Sequence, residues 1–312
     1  MRNRATIWIA TFIYAVACWS AARAATQRAP CDNVLVRGIP ARSADAPAGR
    51  LFAEEIRGLS DDERERRIER ELLTGNIPAF LRRLVPIRLN EPLPDGQPID
   101  VVVCAAPDYL AIGSDDDFML IPMRLGTALS VANRFGFTLP TPRIVDAIYA
   151  QAAVHFVPQP LPASSRMRST DYYWRHNELV GRQRAALDVL PGRLTAGDKK
   201  DLVITNRLWS HLDRVAIYGW HAASGQAIQS LSTFHGWHYA DYSHGARLIS
   251  TWVFVDGKAN SIFQILQDPR LAGALSDEGV VINALELTRA LSAPAQVAIA
   301  SVLPDSHSAA LP

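Results

Sequence analysis

The chain opens on its longest apolar run, Ala5 to Trp19, interrupted only by Thr6 and Thr11 and preceded by Arg2 and Arg4. About 15 apolar residues fall short of the ~20 that a helix needs to cross a bilayer. Ala22-Arg23-Ala24 supplies the small residues that a signal peptidase reads. The order of charge, apolar run and small residues predicts a secretory signal peptide over residues 1–24, cleaved after Ala24. The mature chain is then expected to be secreted or periplasmic, without stable membrane insertion.

Beyond an irregular arm, Ser60-Asp61-Asp62-Glu63 predicts a capped helix start with acids in its first turn. Ile68, Leu72 and Leu73 fall on one face of that helix, and Ile77-Pro78 starts a shorter one with Phe80, Leu81 and Leu84. The pattern changes near residue 86. The β-branched run at 99–104 predicts a strand, and the segments 108–113 and 118–123, joined by Ser114-Asp115-Asp116-Asp117, predict a hairpin. Helical spacing returns at 125–134, at Pro142 behind the cap Thr141, and at 173–187. Strands dominate after Asp198, at 200–205, 214–221, 227–232 and 246–256, before helices at 261–275 and 284–291. Strands and helices come in clumps, so the expected class is α+β: an antiparallel or mixed sheet with helices packed against it and an N-terminal helical segment. The organisation reads as residues 1–24 signal peptide, 25–90 arm and helices, and 91–312 main domain with the chemistry in 199–256.

Composition changes little in this picture. Of 312 residues 48% are hydrophobic and 20% charged, the balance of a folded chain. Lys+Arg 32 against Asp+Glu 31 gives a net charge of +1. Loss of Arg2, Arg4 and Arg23 leaves the mature chain slightly acidic. No basic stripe argues for nucleic acid, and no glycine-rich phosphate loop follows a strand. Cys31 and Cys104 remain after cleavage and can pair in an oxidising compartment.

The chemistry concentrates late. Five of the eight histidines lie between His211 and His244, and the stretch from Ser232 to Arg247 interleaves His235, His238, Asp241 and His244 with Phe234, Trp237, Tyr239 and Tyr242. Imidazole, carboxylate and guanidinium groups are costly to bury unpaired, so a segment that mixes them with large rings must gather them on one another, on a metal or on a substrate. Gly236 and Gly245 allow close backbone approach. In a metal reading, His221, His235 and His244, or Asp241 in place of the last, hold zinc with one open position. In a metal-free reading, His235 and His244 serve as base and acid, while Arg247 and Lys199 or Lys200 steady an oxyanion. Trp220, Trp237 and Tyr242 would line the cleft. No HExxH motif and no GxSxG elbow is present. Lys199-Lys200-Asp201 reads as a solvated turn ahead of a strand, and His155, His176 and His307 as isolated.

Several phrases carry a resemblance: Asp108-Tyr109-Leu110-Ala111-Ile112-Gly113-Ser114-Asp115, Lys199-Lys200-Asp201-Leu202-Val203-Ile204, Val215-Ala216-Ile217-Tyr218-Gly219-Trp220-His221 and Asp241-Tyr242-Ser243-His244-Gly245. Together they are similar to a group of secreted, mostly bacterial proteins with no assigned activity. The resemblance spans about residues 75–255 and implies an exported protein of shared fold. The residues themselves point to a secreted hydrolase of an extracellular or cell-envelope polymer, peptide or glycan, working through His221, His235, Asp241 and His244. Arg247, Trp220, Trp237, Tyr242 and Lys200 would contact the substrate. The competing expectation is a non-catalytic binding protein with an aromatic-rich cleft for a sugar or peptide.

Overall fold

A computed structural model describes Cys31, residues 38–90, Leu93 and residues 96–292. The signal-peptide segment, most of the arm and His307 lie outside the described residues. The fold is α+β. Helix α1 (Gly49–Glu55) and helix α2 (Asp61–Leu73) come first. Ser60 caps α2 with a full capping box: its hydroxyl accepts from the Glu63 N–H while the Glu63 carboxylate accepts from the Ser60 N–H. The apolar side of α2 buries Ile68 and Leu72 in the same contiguous core as Phe52 of α1 and Val103 of the sheet.

Strands β1 (Val85–Leu89) and β2 (Val101–Ala105) pair antiparallel. The hairpin is present as β3 (Ala111–Gly113) and β4 (Phe118–Leu120). Helix α3 (Leu125–Phe135) ends on Gly136, whose φ of +80° suits a residue without a Cβ. Short β5 (Phe137–Thr138) leads to α4 (Pro142–Gln151), which Thr141 caps from its side chain. After β6 (Val154–His155) comes the 17-residue α5 (Thr170–Ala186), capped by Ser169. Then follow β7 (Thr195–Ala196), β8 (Lys200–Leu202), β9 (Ile217–His221), β10 (Ala227–Ser232) and β11 (His244–Gly245). Strands β12 (Ile249–Val255) and β13 (Lys258–Ser261) and helices α6 (Ile262–Gln267), α7 (Ala272–Leu275) and α8 (Ala284–Ser292) complete the described chain.

These strands form two principal sheets. One runs β1-β2-β12-β13 with β5 beside β12; the other runs β10-β9-β8-β11. In the second sheet β8 and β11 are parallel and the remaining pairs antiparallel, so it is mixed. Strands β9 and β12 belong to different sheets. Among the described residues no helix is long and apolar enough to cross a membrane.

Every residue of β2 is buried. Val101, Val103 and Ala105 enter the main core, while Val102 and Cys104 join Cys31 in a small cluster of their own, as the two-residue period of a strand requires. Cys31 and Cys104 form a disulfide across 73 residues of sequence. A cross-link closing a loop of that length stabilises by about 4 kcal/mol in the chain-entropy view. Cys104→Ser is expected to lower the urea midpoint by a comparable stability loss, and reductant should lower the wild type but leave the variant unchanged.

Candidate functional site

The register of the mixed sheet sets the site. His244 on β11 lies beside Lys200 on β8, which lies beside Gly219 on β9. One residue on, Trp220 takes a left-handed backbone (φ +54°) that a bulky side chain rarely adopts. Its ring receives the Lys200 ammonium 5.1 Å from the centroid. The loop after β10 folds back over this corner, anchored by the Val215 N–H donating to the His235 carbonyl and the Trp237 N–H to that of Asp213. His235 stacks on Tyr239 at 3.9 Å, and the Tyr239 ring meets the His244 ring edge-on at 5.7 Å. Tyr239 donates its hydroxyl to Asp241 Oδ2 (2.9 Å); the Ser243 hydroxyl and N–H donate to Asp241 Oδ1 at 2.6 and 2.8 Å. Five expected residues thus gather: Lys200, Trp220, His235, Asp241 and His244.

Their electrostatics differ. His244 is fully buried, and neither ring nitrogen has a hydrogen-bond partner among the described residues. Burial lowers its pKa to about 4, although Asp241 pulls the other way. Burial also lowers the half-buried His235, so both imidazoles are neutral at pH 7. For Asp241 burial alone would raise the pKa, but His244 and the Ser243 donors outweigh it and hold the carboxyl down at about 2. The corner therefore offers two neutral bases, one fixed carboxylate and the Lys200 ammonium, which makes no hydrogen bond among the described residues. The Trp220 indole N–H is likewise buried without an acceptor.

Other expected residues sit elsewhere. His221 binds Asp146 of α4 through Nε2 at 2.8 Å and stacks on Tyr149 at 4.3 Å; Tyr218 donates to the other Asp146 oxygen. Among the described residues no group of three or more His, Cys, Asp or Glu side chains could hold a metal ion. The three-histidine zinc site at His221, His235 and His244 is thus not assembled, because Asp146 and Tyr149 hold the first of them. Arg247 is committed to the fold: it donates to the Ala106 and Thr195 carbonyls at 3.0 and 2.8 Å and lies over the Tyr109 ring. Tyr242 is also interior; its hydroxyl accepts from the Leu161 N–H, and its ring packs edge-on to Tyr172. The Ser243 hydroxyl is committed to Asp241. Trp237 is half-exposed, its ring 3.5 Å from that of His238.

Beneath the corner runs a buried charge network that corrects the solvated-turn expectation for Lys199. Lys199 is 1% exposed, with its ammonium on His176 Nδ1 at 3.1 Å and on the Tyr242 carbonyl at 2.7 Å. Burial, partly offset by Asp198, lowers its pKa to about 8 and drives His176 to about 2. Asp201 accepts from the Tyr109 hydroxyl at 2.8 Å, and burial raises it to about 7. Asp108 pairs with Arg184 of α5. Gly245 closes this layer: a Cβ there would meet the Tyr109 ring at 2.6 Å and the Lys199 Cβ at 2.9 Å. Its close approach is to the protein's own core. Gly236 shows no such approach, since its nearest neighbour would be the Asp213 carbonyl at 3.8 Å.

Tyr239 and Asp146 escaped the sequence reading as site residues. Tyr239 lay inside the aromatic stretch and could have been singled out by its two-residue spacing from Asp241. Asp146 carries no local signal, since its partner is 75 residues away. Comparison with protein-family models, with curated proteins and with solved structures finds no match for this chain.

Proposed function

We propose that the protein is a hydrolase that cleaves an acyl linkage, of the amide or ester kind, in an extracellular or cell-envelope polymer. The observation that carries this reading is the His244 imidazole, wholly buried without a hydrogen-bond partner and set among Asp241, Lys200 and His235. Buried polar groups are nearly always satisfied, and perturbed titratable groups cluster at functional sites. The Cys31–Cys104 disulfide agrees with an oxidising compartment.

In the proposed reaction a neutral imidazole of the His235/His244 pair takes a proton from water as the water oxygen attacks the acyl carbon. Lys200 steadies the charge that develops on the acyl oxygen. The imidazolium, favoured by the fixed charge of Asp241, gives the same proton to the leaving nitrogen or oxygen as its bond to carbon breaks. Water is thereby added across the linkage with no other reactant. Glycoside cleavage fits less well. It ordinarily takes two carboxyl groups facing the bond, and Asp241 has both oxygens occupied by Ser243 and Tyr239.

The half-exposed Trp237 favours one rival, a binding protein that grips its ligand by an aromatic ring. Both are tested on the purified mature protein with a panel of envelope peptides and acylated glycans. His235→Ala is expected to cut product formation by about 10²- to 10⁴-fold, the usual contribution of a positioned base, while melting normally. Should no panel member be consumed, and Trp237→Ala weaken ligand retention more than His235→Ala, the binding protein is the better description.

A further inference from the structure

Arg168 connects the site loop to a second feature. Its guanidinium lies over the Tyr239 ring, 5.7 Å from the centroid, and lines a cavity of about 450 Å³ together with Arg57 and Arg64. Arg64 is only 6% exposed and stacks on Tyr173, whose hydroxyl donates to the Ala240 carbonyl in the site loop. Two cavity arginines therefore reach the site loop, Arg168 directly at Tyr239 and Arg64 through Tyr173 at Ala240. Two carboxylates also line it: Asp61, paired with Arg64 and Arg168, and Asp171, paired with Arg57.

Three guanidinium groups against two carboxylates leave one positive charge uncompensated. Asp171 lies in the first turn of α5, where the helix end adds a partial positive charge of its own. The Nε donors of Arg64 and Arg168 are both buried without an acceptor among the described residues. A guanidinium fork matches a planar carboxylate well. Leu59 is the one apolar side chain in the described lining, whereas pockets for apolar groups are lined mainly by hydrophobic residues. The cavity suits a small anionic group and disfavours an oily one.

We infer that this cavity is a subsite for a carboxylate, and that the substrate is a peptide bearing an acidic residue beside the linkage to be cut. The inference rests on the hydrolase reading for the place of cleavage, but binding in the cavity does not depend on turnover. A singly charged partner is preferred over a dianion because only one charge is left to balance.

The test is calorimetric binding of a penta-alanine peptide carrying one glutamate and of its glutamine counterpart to the purified mature protein. The glutamate peptide is expected to bind at least tenfold more tightly, with the preference shrinking as salt is raised. Arg168→Gln should erase the preference. Arg57→Gln, at an exposed position, should reduce it even where the first variant melts early. His235→Ala should keep it. Equal affinity for the two peptides overturns the subsite, as does a preference that survives both arginine variants. Tighter binding of an oligogalacturonate than of the glutamate peptide overturns the peptide assignment. Cleavage is scored separately: a glutamate preference without cleavage of any peptide in a series with the acid moved along the chain keeps the subsite and removes the hydrolase.

Discussion

Substitution of His244 by alanine is expected to lower turnover by about 10²- to 10⁴-fold, the range by which a positioned acid–base group contributes. The same change removes a buried ring, so a stability loss must be separated from a chemical one. His244→Gln retains much of the volume and one donor–acceptor pair but cannot accept and return a proton. Both variants should be inactive at pH 7, with the glutamine form melting closer to wild type. If the glutamine variant is well folded and turns over at the wild-type rate, His244 is a packing residue and the proposed centre is wrong.

The pH dependence follows from the same ring. A base works only when unprotonated, and burial holds His244 at a pKa of about 4. Activity governed by this imidazole should rise as pH increases through about 4 and be flat by pH 6, where an ordinary histidine would still be titrating. An acid limb of kcat/KM near 6.5 would instead assign the rate to a solvated imidazole. Folding stability moves in the same direction. The folded pKa lies below the unfolded value of about 6.5, so the unfolded chain binds the proton first, and His244 contributes stability that is lost as pH falls from about 6.5 to 4.

The sequence announced part of this site because part of it is local. His235, Asp241 and His244 lie within ten residues, and a short loop with a Tyr239–Asp241–Ser243 hydrogen-bond chain is bound to bring them together. Lys200 and Trp220 followed from their strands. His221 looked equivalent from its neighbours, but its environment is decided by α4, which brings Asp146 and Tyr149 against it from far along the chain. Arg247 and Lys199 show the reverse error. Lys199 reads as solvated and Arg247 as a substrate contact, and no local pattern reveals that both lie in the interior among Asp108, Asp198 and Asp201. The helices were the most legible elements, since Ser60 and Thr141 mark their own starts. The division of the strands into two sheets was not legible, because hydrophobic alternation is the same whichever partner a strand takes.

The buried network carries the second large effect. Arg247→Ala is expected to destabilise the fold by about 3–5 kcal/mol, the cost of breaking a buried charge arrangement by removing one partner. The Ala106 and Thr195 carbonyls lose their donors, Tyr109 loses the cation over its ring, and Asp201 loses the charge that most opposes its burial. Arg247→Lys should recover only part of this, because one ammonium cannot serve two separate carbonyls as the guanidinium fork does. The effect should also depend on pH. In the wild type Asp201 titrates at about 7, above its unfolded value. The stability linked to its protonation is fully present below pH 4 and declines as pH rises through 7. Without Arg247 the Asp201 pKa rises further, so the penalty for ionising it extends to higher pH. Urea denaturation of the variant and the wild type at pH 5 and pH 8 should show the larger stability gap at pH 8. A gap equal at both values would mean that Arg247 acts through its two carbonyl bonds and its packing, with Asp201 uninvolved.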